Sequence, residues 1–153
     1  MSDIRMTYDN QKQRADIDLE SLNGKTTIDV QTGHDLETSV LISLMSDQVA
    51  EDDWFLTANR RGWWADAYRD RVIGSRIWQL TIMTVGDPAE YIMRAQAYCE
   101  EALQWLVDLN IAKTIKANAY FTDATQTTLA VDITVTKPDG LSQQFSYVWN
   151  EIQ

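Results

Sequence analysis

The chain has 153 residues, with 13 lysines and arginines against 23 aspartates and glutamates, and a formal net charge of −10. This length fits one domain with a core large enough to fold without disulfides or a structural metal. The net negative charge disfavours binding to nucleic acids or anionic membranes, whose phosphates repel an anion. One cysteine and one histidine exclude an internal disulfide and disfavour a zinc site, so we expect no metal and no cofactor.

No targeting signal or membrane span is expected. The N-terminal stretch is polar and lacks the apolar core of a signal peptide. No run approaches the roughly 20 apolar residues of a membrane-spanning helix. We therefore expect a soluble protein, and the single thiol of Cys99 suits a reducing compartment.

The first predicted elements are a hairpin over residues 15–31 and a helix over residues 35–47. The hairpin rests on a turn at Asn23-Gly24 between two stretches of alternating polarity. Asp35 can cap the helix, and its apolar residues recur at spacings of three and four. They are Leu36, Val40, Leu41, Leu44 and Met45.

A second, longer helix is predicted over residues 88–109. Asp87 suits the N-cap, Pro88 the first helical position and Glu90 a capping box. An apolar stripe follows at Ile92, Ala95, Cys99, Ala102, Leu106 and Leu109, and a second line, expected to pack in the core, at Tyr91, Tyr98 and Trp105. The preceding segment, 77–85, fits either a helical turn or a buried strand.

Three strands are predicted over residues 111–149. The clearest is the one in which Leu129, Val131, Ile133 and Val135 alternate with polar residues. A turn at residues 137–140 precedes the last strand. The fold class is therefore α+β: a single domain with an antiparallel C-terminal meander, an N-terminal hairpin, and a long and a shorter helix packed on the sheet.

Few residues offer catalytic chemistry. No phosphate-binding glycine loop can be drawn, and His34 lies in a polar turn with no positioned partner. Cys99 lies on the apolar stripe of the long helix, which favours a buried thiol. The acidic run at 47–53 is typical of a solvated edge, although such a run can also cradle a cation.

A carboxylate pair of the glycoside-hydrolase kind is the remaining enzymatic alternative. Such enzymes hold one acid protonated in an apolar pocket while a second acts as base or nucleophile. Asp66, two residues after Trp64, is the best candidate for the first acid. The candidates for the second are Glu37, Asp47 and Glu51.

The distinctive segment is the arginine- and tryptophan-rich loop at 59–76, here called the Arg/Trp loop. It contains five arginines and two aspartates, a local charge of +3. Arginines interleaved with aromatic residues are typical of protein–protein hot spots. The same composition also occurs in single-stranded nucleic-acid sites, but the acidic remainder of the chain disfavours that function here. We expect the arginines of the loop to pair with carboxylates of a neighbouring copy or of another, acidic partner. The predicted interface residues are Arg60, Arg61, Gly62, Trp63, Trp64, Asp66, Tyr68 and Arg69, and the two tryptophans point to opposite sides if the chain is extended there.

At this loop the sequence resembles a known family. The stretches GHDLETSVLISLMSDQVAEDDWFL, RRGWWAD, GSRIWQL and EALQWLVD, in this order, resemble the small baseplate proteins of Mu-like contractile-tail phages. That family is distantly similar to the baseplate wedge proteins long labelled "lysozyme-like". The resemblance covers roughly residues 33–150.

The resemblance implies a structural protein and not an enzyme. It implies a wedge subunit of a contractile tail baseplate, present in several copies around the tail axis, that helps to start the sheath. Its partners would be other baseplate and tail-sheath proteins, with no nucleic acid, membrane or small-molecule substrate. It would lie in the virion tail, and in the host cytoplasm during assembly.

Overall fold

The structure, a computed structural model, describes residues 6–9, 11, 14–17, 19–21, 28–30, 35–63, 66, 72–83 and 87–149. Within these ranges the chain forms strands and helices in the order β1 (Met6–Asp9), β2 (Arg14–Ile17), β3 (Leu19–Ser21), β4 (Ile28–Val30), α1 (Asp35–Met45), α2 (Ile77–Leu80), α3 (Pro88–Asp108), β5 (Thr114–Phe121), β6 (Leu129–Thr136) and β7 (Ser142–Trp149).

Strands β5, β6 and β7 form the antiparallel meander that the sequence predicts. β6 is the central strand, and its register places Val131 opposite Ala119 of β5 and Tyr147 of β7. Because side chains alternate between the faces of a strand, the apolar residues of β6 point to one side. There they are fully buried: Leu129, Val131, Ile133 and Val135. The predicted turn before β7 is present, with Gly140 at a φ of 88°.

The long helix α3 packs most of its predicted apolar stripe on this face of the sheet, but Leu109, the last residue of that stripe, follows the end of the helix and is 48% exposed. The start of α3 follows the prediction, because the Asp87 carboxylate accepts a hydrogen bond from the Ala89 N–H at 2.9 Å and Pro88 begins the helix. Glu90 does not form the expected capping box; it binds Arg94 one turn later at 2.8 Å. The buried residues of α3 are Tyr91, Ala95, Tyr98, Cys99, Ala102, Leu103 and Leu106.

The two shorter helices contact α3 and complete the core. α1 ends at Met45, two residues before the predicted end. The segment that fitted either a helical turn or a strand forms the single turn α2, whose four side chains are all buried. The indole N–H of Trp105 on α3 donates to the Ser43 hydroxyl of α1 at 3.0 Å. One shared core therefore joins helices and sheet, which confirms the α+β prediction.

The N-terminal part differs from the hairpin predicted over 15–31. β3 and β4 do pair antiparallel, but β2 pairs with β1, a strand that the sequence analysis missed. β1 reaches the core through Tyr8, whose ring packs edge-on against Tyr147 at a centroid distance of 5.6 Å. The alternation of Met6 and Tyr8 was the available signal. The predicted turn at Asn23-Gly24 lies outside the described residues.

Candidate assembly surface

The segment after α1 is fixed against the segment before α2. The N–H of Ser75 donates to the carbonyl oxygen of Ser46 at 2.8 Å, and the N–H of Gln48 donates to that of Ser75 at 3.0 Å. The Ser75 hydroxyl also donates to the Leu44 carbonyl oxygen, at 2.7 Å. Gly74 has a φ of 121°, and a Cβ there would lie 2.8 Å from the Ser46 oxygen. Only glycine allows the two backbones to come this close at positive φ without strain. Gly74 thereby permits the hydrogen bonds at Ser75 that hold the two ends of the segment between α1 and α2 together.

Arg60 closes the loop between residues 50 and 60 at its base. The Ala50 N–H donates to the Arg60 carbonyl oxygen at 2.9 Å. The Arg60 guanidinium in turn donates to the Ala50 carbonyl oxygen at 2.6 Å and to Asp52 at 3.0 Å. Its side chain remains 41% exposed. Arg60 therefore shapes the loop while part of its side chain stays exposed.

Arg61 joins the acidic run to α2. Its guanidinium binds the Asp47 carboxylate at 2.9 Å and lies 4.7 Å from the ring centroid of Trp78. The Trp78 indole N–H donates to the carbonyl oxygen of Gln48 at 2.9 Å, which fixes the ring. A guanidinium over an indole face gains from the ring quadrupole in addition to the ion pair.

Among the described arginines of the Arg/Trp loop, Arg76 makes the most buried ion pairs. Its guanidinium binds both Glu51 and Glu101, and its side chain is only 17% exposed. It also lies 5.1 Å from the ring centroid of Tyr98. The Glu51 carboxylate accepts a second hydrogen bond from the Gln79 amide at 2.7 Å. This network anchors the acidic run to α2 and α3.

These contacts show that the described arginines of the loop already have carboxylate partners, while the predicted contact with carboxylates of a neighbouring molecule stays a prediction. Arg60, Arg61 and Arg76 all bind carboxylates of the same chain. The reason is the backbone pairing at Ser75, which brings the acidic run beside the Arg/Trp loop. Arg60, Arg61 and Arg76 are therefore neutralised within the chain, and their guanidinium groups are held in place by these ion pairs.

The other predicted interface residues are only partly described. Gly62 is exposed, with a φ of 100°, and its backbone lies close to Val49. Trp63 is half-buried. Trp64, Tyr68 and Arg69 lie outside the described residues, so the prediction that the two tryptophans face opposite sides stays a prediction.

The structure places the candidate acids of the hydrolase alternative in different settings. Asp66 accepts a hydrogen bond from the Ile73 N–H at 3.2 Å. Asp47 and Glu51 are each bound to an arginine, as described above. Glu37 lines a groove beside β7. Two of the three candidates for the second acid are therefore bound in ion pairs with arginines.

Cys99 is fully buried on α3, as the stripe predicts. Burial raises the pKa of its thiol to about 12, which keeps it protonated and unreactive at neutral pH. Across the described part of the chain, no group of three or more His, Cys, Asp or Glu side chains is placed to hold a metal ion; His34 lies outside it. None of the described helices combines the length and apolar character needed to span a bilayer.

Among the described residues, each edge of the meander has one outward backbone group bound by a side chain. On β5, the outward N–H of Ala117 donates to the Glu100 carboxylate of α3 at 3.1 Å. On β7, the Val148 carbonyl oxygen accepts from the Tyr8 hydroxyl at 3.1 Å. Backbone groups alternate in direction along an antiparallel strand, so those of Gln144 and Ser146 point the same way as Val148. Within the described ranges, nothing binds them.

Comparison with known proteins decides the family. The model of the family described as phage protein GP46 matches residues 36–142, well over half of the chain. The chain belongs to this family. It is 38% identical over 130 residues to the baseplate protein gp46 of Escherichia phage Mu, which covers 82% of this chain and 87% of that protein. It is 32% identical over 148 residues to the Mu-like prophage FluMu protein gp46 of Haemophilus influenzae, which covers 96% of each.

The GP46 match coincides with the structural features described above. It begins inside α1 and ends at the start of β7, so it contains the whole Arg/Trp loop, α3 and the first two strands of the meander. Strands β1–β4 lie outside it. The longer match to the Haemophilus relative extends the similarity over nearly the entire chain.

Proposed function

We propose that the protein is a structural subunit of the baseplate of a contractile phage or prophage tail. The observation that carries this proposal is the 38% identity to a Mu protein named as a baseplate protein, over 87% of that protein's length. On this proposal the chain resides in the virion tail after assembly in the host cytoplasm. Its partners are other baseplate and sheath proteins, and it acts by binding them and not by catalysis.

Within the baseplate, the chain acts as a wedge component that helps to nucleate the sheath. The outward backbone groups of Gln144 and Ser146 on β7, which have no partner among the described residues, support this finer role. An exposed edge strand presents unpaired N–H and C=O groups that a strand from another chain can extend. β7 carries no lysine, arginine or proline, the residues that commonly block such pairing.

Residues 59–70 of the Arg/Trp loop are the main surface by which the subunit joins its neighbours. This part of the proposal rests on the composition of the loop and on the positions of its described residues Arg60 and Arg61. Arg60 and Arg61 keep 41% and 38% of their side-chain surface exposed while bound to internal carboxylates. A surface that is already ordered loses less conformational entropy when a partner binds.

A paired set of proline variants tests sheath nucleation through β7. In Gln144→Pro the lost N–H points outward, so the strand keeps its bonds to β6 while the edge can no longer donate there. In the control, Gln143→Pro, the lost N–H faces β6, and the domain itself should be destabilised. Each variant is expressed in cells that carry the tail genes with this gene deleted, and tails are counted by electron microscopy.

We expect Gln144→Pro to fold normally, as judged by its melting temperature, and to give baseplates without a sheath. If it forms sheathed tails at the normal level, the sheath does not start on this edge. If neither baseplates nor sheaths change when the gene is absent altogether, the baseplate role itself is wrong.

A further inference from the structure

Phe55 is the most exposed large apolar residue that the structure describes, at 86% exposure. It lies in the middle of the loop whose base Arg60 closes. Leu56, next to it, is 43% exposed. Single exposed apolar residues are common on protein surfaces, so exposure alone carries no argument. The environment of this pair is what distinguishes it.

The loop that carries Phe55 is rigidly held. The Trp54 ring packs edge-on against Trp78 at a centroid distance of 5.4 Å. The Trp54 indole N–H donates to the Thr57 hydroxyl at 3.1 Å, and this hydroxyl donates to the Asn59 carbonyl oxygen at 2.9 Å. These contacts hold the residues on both sides of Phe55, while its own ring stays exposed to water at an apolar cost.

A groove of about 380 Å³ opens beside Phe55 and Leu56. Trp54 and Met83 are apolar residues of its lining. Gln79 and Tyr98 are polar residues of the lining and are held in place, because Gln79 accepts from the Tyr98 hydroxyl at 2.9 Å while its amide binds Glu51. A groove of this size accommodates one or two large apolar side chains.

The charged residues that line this groove indicate which kind of partner segment it would bind. Its three charged residues are Glu51, Asp53 and Arg94. Glu51 is bound to Arg76, and Arg94 to Glu90. Asp53 is exposed and has no ion-pair partner among the residues that the structure describes. Among the described residues, the charge left without a counterion is therefore the negative charge of Asp53, beside an aromatic and aliphatic surface.

We propose that Phe55, Leu56 and the groove beside them form a docking site for a cationic segment of a partner protein. The segment carries a large apolar side chain, which enters the groove, next to a lysine or arginine, which pairs with Asp53. This site is separate from the edge of β7, and its test does not depend on the baseplate role.

Three matched peptides test the site on the full chain. The first is acetyl-Arg-Trp-Lys-Leu-Arg-amide; the second replaces its cations with glutamate, and the third replaces tryptophan and leucine with alanine. Binding is followed by ¹H–¹⁵N NMR through the Trp54 indole and the Gln79 side-chain amide. The disrupting variants are Phe55→Ala with Leu56→Ala, and Asp53→Asn. The matched control is Leu141→Ala, since Leu141 is also exposed, at 65%.

We expect saturable shifts with the first peptide only, at least tenfold weaker binding in the double variant and at least threefold weaker binding in Asp53→Asn. Leu141→Ala should bind as the native chain does. The proposal is overturned if the first peptide gives no saturable shift, if the acidic peptide binds equally well, or if the double variant leaves affinity unchanged. A dimer of the native chain that the Phe55 substitution abolishes would also overturn it, in favour of a second copy as the occupant.

Discussion

Arg60 and Ala50 exchange two hydrogen bonds, one between their backbones at 2.9 Å and one from the guanidinium to the Ala50 carbonyl oxygen at 2.6 Å. The segment between them thereby becomes a closed loop. This closure positions both the acidic run at 47–53 and the exposed Phe55. Arg60 therefore shapes the surface beside the Arg/Trp loop and the surface around Phe55.

Replacing Arg60 and Arg61 with alanine should block tail assembly while the isolated domain stays folded. Both ion pairs are substantially exposed, so their loss should cost only about 1–2 kcal/mol of unfolding free energy. The measurement combines urea unfolding with complementation of a strain that lacks the gene. Lys113→Ala with Lys116→Ala is the control, because it removes the same charge from exposed positions around β5. If the arginine variant assembles normally, or fails only because it unfolds, the loop serves the folded structure of the domain and is not an assembly interface.

Gly74→Ala should destabilise the domain much more than Gly140→Ala. Both glycines have positive φ, of 121° and 88°. At Gly74 an added Cβ would lie 2.8 Å from backbone atoms, whereas at Gly140 it meets nothing within 4 Å. We expect about 1 kcal/mol from backbone strain at Gly140, and more than about 3 kcal/mol at Gly74, where the clash adds to it. Urea unfolding of both variants checks this, and equal losses would contradict the contact at Ser75.

Leu106→Ala should cost about 2–5 kcal/mol, because Leu106 is 1% exposed at the contact between α3 and the sheet. Leu141→Ala should change the unfolding free energy by less than about 0.5 kcal/mol, since that side chain is exposed. Chemical denaturation measures both. A small loss for Leu106→Ala would contradict the packing of α3 on the meander.

Much of the fold follows from local sequence patterns. The caps and stripe of α3 and the alternation in β6 each extend over enough residues to give a clear period. β1 has only four residues, and its two apolar positions are too few to set a period. The predicted hairpin over 15–31 was wrong in extent because β2, β3 and β4 are also too short to set a clear period.

The candidate surface was predictable in composition but not in its contacts. The Arg/Trp loop was recognisable from its residues. The pairing of Arg61 with Asp47, 14 residues away, depends on the tertiary contact of Ser75 with the end of α1, which no local period reports. The exposure of Phe55 likewise depends on how Trp54 packs against Trp78.

Stability should fall at alkaline pH, partly through Cys99. The pKa of this thiol is about 12 in the folded chain against 9.0 for the free group. Above about pH 9, the unfolded chain releases a proton that the folded chain keeps, so the unfolding free energy falls by up to about 1.4 kcal/mol per pH unit. Urea unfolding between about pH 8 and about pH 10 should show a smaller fall for Cys99→Ala. If the unfolding free energy falls equally steeply with pH in the native chain and in Cys99→Ala, the result would contradict the burial of the thiol.

The protein should leave peptidoglycan intact. Asp47 and Glu51 are engaged by arginines, so we expect no hydrolysis in a turbidity assay between about pH 4 and about pH 8, where a carboxylate pair works. Asp66→Asn should behave as the native chain does. Turnover that this substitution abolishes would establish the glycoside-hydrolase alternative.

The most direct test of the baseplate role is to locate the protein in purified tails. The chain is tagged at its C-terminus, tails are isolated from cells in which the tagged gene replaces the original, and gold-labelled antibodies are imaged by electron microscopy. The account predicts label at the baseplate end of each tail, and no sheathed tails when the gene is deleted. Intact, sheathed tails without the protein would contradict it.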